Sequence, residues 1–205
     1  SDNNEFFLKF YSPEVRLTLS DTLPAIENLG FIAIDEQSFA ITESLDFKKS
    51  WLYEFRLQSP VKIDIPVDIL KYNIEEALSK MSTGELASDI LGKLISLAGF
   101  NWTKVKLLKA LTRYLHQTGF IYGKGYVQQT LVKHHKYSKM MMDLFEAMFD
   151  PQENSKDKVA DLSLQLSSYL DTVGSRTEDM VLCNMRLIVE AIVRTNFYQK
   201  DKNGG

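Results

Sequence analysis

The 205-residue sequence predicts an α+β fold, with a small sheet unit of β-α-β-β order followed by an all-helical region. Three observations carry this. In SWLYEFRLQ, Trp51, Tyr53, Phe55 and Leu57 alternate with more polar neighbours, the period of two that buries one face of a strand. After Pro66 the apolar residues recur every three or four positions instead, which is the helical period. The change falls at Pro60–Pro66, so the domains are expected at 1–62 and 63–205.

Phe6–Tyr11 (FFLKFY) is short, apolar and aromatic, as suits a buried strand. LSDTLPAIENLG reads as a helix in which Ser20 caps the free amides, Pro24 sits near the start and Gly30 ends it. Phe31–Asp35 and Ser38–Thr42 read as one strand interrupted by a turn or bulge, or as a tight pair. Trp51–Leu57 is expected to face Leu23, Ile26 and Leu29. Val67–Lys80 is a helix, and Ser82-Thr83-Gly84-Glu85 has the form of a capping box opening another that runs to Gly99. Leu107, Leu108, Leu111, Tyr114 and Leu115 place an apolar stripe on the next helix. Val127, Leu131, Met141, Leu144, Phe145 and Met148 do so on a second, across a glycine-bearing connection. Val159–Val173 forms a further helix, and a last one from Thr177 to Tyr198 is expected to bury Val181, Met185, Ile188 and Ile192.

Charge is distributed by position. Residues 101–139 hold seven Lys, one Arg, all three His and no acid, a charge of +8. The stretch before carries −7 and the stretch after −4, giving −3 overall. The helical period puts Lys104, Lys106, Lys109 and Arg113 on the flanks and back of their helix, where they are expected to be exposed; with Lys133 they form a candidate interaction surface. The single Cys183 cannot form an internal disulfide and reads as a buried structural thiol. No apolar run approaches a membrane span, and the composition suits a cytoplasmic setting. The polar SDNN start and KDKNGG finish read as the ends of an excised piece.

Catalytic and cofactor motifs are not found. GFIYGKG places three residues between Gly119 and Gly123 where a phosphate loop needs four, and Gly125 stands where Ser or Thr would meet magnesium. There is no G-x-G-x-x-G. His134 and His135 are about 100° apart on a helix and cannot face one metal; they read as partly exposed histidines on a basic surface. No catalytic, cofactor-binding or metal site is assigned within this segment.

LSDTLPAIENLGF, SWLYEFRL, SLAGFNWTKVKLLKALTRYLHQTGF, GYVQQTLVKHH, LFEAMFDP and RTNFYQ, in this order, resemble the large NAD-specific glutamate dehydrogenases of bacteria. The resemblance runs through nearly the whole chain. It implies an ACT-like regulatory module at 1–62 and a helical region, 63–205, leading toward the catalytic domain. It further implies that the parent chain oxidises L-glutamate to 2-oxoglutarate and ammonia while reducing NAD, with no catalytic or NAD-binding residue in this segment. The catalytic domain of the same polypeptide and other subunits of a homo-oligomer are the implied partners, without membrane. In amino-acid-binding ACT modules the turn between the first strand and helix usually carries a Gly. Here SPEVRLTLS has none, leaving Arg16, Thr18 and Ser20 as effector-loop candidates. Relatives often have Pro after the His of the second basic helix, but His135 is followed by Lys136, so that helix is expected to run with less interruption.

Two function classes follow. One is a regulatory and scaffolding segment whose basic helices dock on acidic surface and whose sheet edge pairs with another module. The other is a helical adaptor binding nucleic acid or an acidic protein through 101–139. The negative net charge and the absence of a reading motif weigh against the adaptor.

Overall fold

The computed structural model describes residues 5–42, 49–152 and 155–199. Its elements are β1 (Glu5–Pro13), α1 (Leu19–Asn28), β2 (Ile32–Thr42), β3 (Lys49–Gln58), α2 (Val67–Ser82), a 3-10 turn (Ile90–Lys93), α3 (Leu94–Ala98), α4 (Trp102–Gln117), α5 (Lys124–Lys133), α6 (His135–Phe149), α7 (Lys156–Leu170) and α8 (Arg176–Glu190). The α+β class and the β-α-β-β order are therefore observed. Packing divides the chain into two compact units, 1–105 and 106–205.

In the first unit the strands form an antiparallel sheet of order β1-β3-β2. Tyr53, Phe55 and Leu57 of β3 are buried together with Ile26 of α1 and Leu29 just past its end, as the alternation predicts. Trp51, at the end of that row, is half-buried under the Arg16 guanidinium, 5.0 Å from its ring. On the other face Lys9 meets Glu54 directly across the strands at 2.8 Å. β2 is one strand with a register shift between Ala33 and Asp35, the bulge form of the interruption read from the sequence.

The end of α1 is fitted closely to residues 88–96. Gly30 has φ 94, and a Cβ there would strike the Ser96 hydroxyl, which donates to the Leu29 carbonyl at 2.7 Å. A Cβ on Gly92 would stand 2.5 Å from the Asn28 carbonyl oxygen. Asn28 Nδ2 also donates to Ser88 Oγ at 3.0 Å. These contacts tie the helical stretch after Pro66 back to the sheet unit.

Three boundaries differ from expectation. Thr18, not Ser20, occupies the N-cap position of α1. Ser82 caps no new helix: its hydroxyl donates back to the Ser79 carbonyl, and Glu85 instead takes the Lys80 ammonium at 3.0 Å. Asp89 caps the 3-10 turn that follows, and Gly99, at φ 71, closes α3. The last helix ends at Glu190, so Phe197 and Tyr198 lie beyond it and pack on the Phe145 ring at 5.5 and 6.4 Å. Val189 is buried there, while Ile188 and Ile192 are half-buried.

In the second unit α6 packs against α5, α7 and α8. Its Tyr137, Met141, Met142, Leu144 and Phe145 are buried with Leu166 of α7 and Val181, Leu182 and Met185 of α8. The second basic helix does not run through: it breaks at His134 (φ −96, ψ 48) into α5 and α6. Ser138 supplies the reason. Its buried hydroxyl donates to the Leu131 carbonyl at 2.8 Å, taking the acceptor that a continuous helix would offer to the amide of residue 135.

Candidate functional site

The five basic candidates occupy different environments. Lys104, in the first unit, is half-buried with its ammonium 6.0 Å from the Phe100 ring. Lys106 and Arg113 are exposed. Lys109 is buried, with 8% of its surface exposed, against the expectation for it. The buried stripe of α4 is Val105, Leu108, Leu111, Thr112 and Leu115, rotated from the stripe read in the sequence, and Tyr114 is 56% exposed. Lys109 lies one turn from both Val105 and Thr112, so its stem joins that stripe. Thr112 supports the rotation because its hydroxyl is satisfied internally, donating to the Lys109 carbonyl at 2.9 Å. Lys133 is exposed, but its ammonium is engaged: it meets Glu178 Oε1 of α8 at 2.6 Å.

The same carboxylate exposes what the sequence reading missed. His134 Nε2 is 3.0 Å from Glu178 Oε2, and His134 Nδ1 is 3.2 Å from the Tyr169 hydroxyl of α7. The His134 and Glu178 side chains are only 12% and 15% exposed. His134 is thus a hydrogen-bonded junction residue and not a partly exposed surface histidine. Hydrogen bonds from Lys133 and His134 hold the Glu178 carboxyl below the usual carboxylate range. The signal was present in Ser175-x-x-Glu178: Ser175 Oγ accepts from the Glu178 amide at 3.4 Å, fixing that carboxylate in the first turn of α8. His135 points elsewhere, and burial, then Lys136, pushes its pKa below the ordinary histidine value. Cys183 is half-buried, with its thiol pKa pushed up by burial first and by Asp179 next.

The effector-loop candidates lie around α1. A cleft of about 410 Å³ is lined by Arg16, Leu17, Thr18, Leu19, Thr22, Glu36, Ser38 and Tyr53. Arg16 and Thr18 belong to it and Ser20 does not. Glu14, just before the loop, adopts φ 62, taking without glycine the left-handed turn for which glycine is the usual residue. Tyr53 closes the cleft floor: its hydroxyl accepts from the Leu17 amide at 2.8 Å and is 3.2 Å from the Leu17 carbonyl. Among the described residues no group of three or more His, Cys, Asp or Glu could hold a metal ion. No described helix is long and apolar enough to cross a membrane.

Two family profiles match in succession. "Glutamate dehydrogenase, ACT3 domain" covers residues 1–69 and "Glutamate dehydrogenase, helical motif 3" covers residues 86–151. The chain is 29% identical over 198 residues to an NAD-specific glutamate dehydrogenase of Halomonas elongata, covering 96% of this chain and 12% of the relative. It is 29% identical over 201 residues to that of Pseudomonas aeruginosa, again 96% and 12%. It is 27% identical over 189 residues to that of Mycobacterium tuberculosis, 88% and 12%. The chain therefore spans about an eighth of the length of these relatives.

Proposed function

We propose that the chain is a regulatory and scaffolding segment of a large NAD-specific glutamate dehydrogenase, the enzyme whose third ACT domain and third helical motif its two halves match. The full-length chain oxidises L-glutamate to 2-oxoglutarate and ammonia in the cytoplasm while reducing NAD, and this segment contributes no catalytic group. The observation that carries the reading is co-linearity: a sheet module followed by a helical motif, aligned with the relatives over 88–96% of the chain. We keep the functional boundary at 62/63, supported by the end of β3 at Gln58 and the start of α2 at Val67.

The partners are the catalytic domain of the same polypeptide and the other subunits of a homo-oligomer. Lys106 and Arg113 are the exposed candidates for docking on acidic surface; Lys109 is buried and Lys133 already engages Glu178. In the full-length enzyme, Lys106→Glu with Arg113→Glu should loosen subunit association or shift kinetics in a salt-dependent manner while leaving the fold intact. Unchanged subunit mass and activity across salt concentrations would remove the docking role. Arg16 and Thr18 are the cleft residues through which a small anionic effector would act, and Arg16→Ala should abolish any such response. An effector response that survives Arg16→Ala would place that site elsewhere.

A further inference from the structure

We propose that the outer face of the β1-β3-β2 sheet is a docking trough for one amphipathic helix of the parent enzyme, a helix that brings a carboxylate to Arg56. The inner face, with Tyr53, Phe55 and Leu57, is buried together with Ile26 of α1. On the outer face the cross-strand register puts Tyr11, Leu52 and Phe39 in one row and Phe7, Arg56 and Asp35 in another. Lys9, Glu54 and Gln37 form the row between them. Phe7 and Tyr11 of β1 and Phe39 and Ile41 of β2 are exposed, whereas Leu52, Glu54 and Arg56 of the central strand are half-buried. The face is therefore high along both edge strands and low along its middle. Tyr11 is held in that position, its hydroxyl donating to Ser50 Oγ at 2.9 Å across the strand pair.

Width selects the shape of the occupant. The two edge strands run about 9.5 Å apart, twice the separation of neighbouring strands. A helix with its side chains measures about 10–12 Å across, so a single helix fits between the ridges. A second sheet of the same width would rest on Tyr11 and Phe39 and leave the central strand uncovered.

Charge selects its chemistry. Lys9 and Glu54 satisfy each other at 2.8 Å, and Asp35 Oδ1 accepts from the Glu36 amide at 3.0 Å. Arg56 makes no ion pair among the described residues, and its Nε is buried without a hydrogen-bond partner. Its bonding therefore falls to the terminal nitrogens, which suit a carboxylate. An apolar occupant without an acid would desolvate that guanidinium with no bond to offset the cost. Leu52 and Arg56 stand about 13 Å apart along the strand. A helix covers that distance in about eight or nine residues, so an apolar side chain over Leu52 and an Asp or Glu over Arg56 are separated by that many positions. The charges of Lys9, Glu54, Arg56 and Asp35 sum to zero, so the trough lacks the basic excess that a nucleic-acid backbone requires.

The inference rests on the reading of the chain as a segment of a larger enzyme, since the helix is sought in the seven-eighths of the relatives' length that this chain does not span. The test places photoreactive benzoylphenylalanine at position 39 or at position 11 of the parent enzyme and sequences the peptides captured on irradiation. Both positions should capture one helical segment outside residues 1–205, bearing an Asp or Glu. Arg56→Glu should lose most of that cross-link, and reversing the captured acid to Lys in the same chain should restore it. Should Arg56→Glu fail to fold, Arg56→Gln decides in its place through the same loss of yield. Capture of nothing, of two unrelated segments, or of residues 1–205 of a second copy would overturn the proposal, as would a yield indifferent to Arg56. Polyuridine retained by the 205-residue chain and released by Tyr11→Ala with Phe39→Ala would overturn it in favour of a nucleic-acid surface. Glutamate-dependent NAD reduction by the parent chain is measured separately: its absence beside the expected cross-link would remove the dehydrogenase reading and leave the trough standing.

Discussion

At the scale of single residues, the inner row of β3 bears the largest packing energies. Tyr53 is 4% exposed and Phe55 fully buried, so Phe55→Ala should cost about 3–5 kcal/mol, as aromatic-to-alanine changes in cores do. Tyr53→Ala should cost a similar amount and also leave the Leu17 amide without its acceptor. Chemical denaturation measures both, and unchanged midpoints would mean the strand presents its other face. His135 gives a prediction with a definite sign. Its lowered pKa means that the unfolded chain takes up a proton more readily, so its contribution is lost as pH falls through the ordinary histidine range of about 6.5. His135→Gln should therefore raise stability at mildly acid pH relative to the unmodified chain and change little at alkaline pH. Equal shifts at both pH values would assign the effect to packing. Such residue-level detail was only partly legible: alternation identified the inner face of β3, but periodicity did not reveal Lys109 inside. Lysine is normally read by its charge, whereas Lys109 lies within a stripe defined by Val105 and Thr112, one of them polar.

At the scale of elements, the sequence announces strands and helices where local chemistry decides them and misplaces ends where distant groups do. The helix expected over Val67–Lys80 and found to end at Ser82 follows from pattern, as does the strand Ile32–Thr42, whose bulge is one of the alternatives the pattern left open. The break at His134 does not, because it depends on a serine hydroxyl taking the Leu131 carbonyl from seven residues away in sequence. Ser138→Ala removes that bond from a fully buried site and should cost about 1–3 kcal/mol, the penalty of an unsatisfied buried polar group. Should the variant prove as stable as its parent, α5 and α6 can merge and regain the missing amide bond, which amide exchange at residue 135 would display. The seam between α1 and residues 88–96 is equally invisible in a linear reading. Gly92→Ala places a methyl group against the Asn28 carbonyl and should cost about 1–3 kcal/mol through overpacking. Gly125→Ala, where nothing lies within 4 Å of the added carbon, is the matched control.

At the scale of the whole molecule, the expected result is negative chemistry and positive assembly. The isolated chain should show no glutamate-dependent reduction of NAD, and calorimetry yielding a micromolar NAD constant would contradict its assignment as a regulatory and scaffolding segment. The order of sheet module and helical region was readable because each has its own hydrophobic period. Candidate site residues were less readable, since charge along a sequence does not distinguish Arg113, which is exposed, from Lys133, whose ammonium meets Glu178. The closure of α1 against Ser96 has a further consequence for biosynthesis. The third strand is complete at Gln58, but the serine that seals Leu29 emerges 38 residues later. At synthesis rates of about 5–20 residues per second, a nascent sheet unit spends several seconds with that flank open, and through that interval its two strand edges are the surfaces a chaperone would meet first.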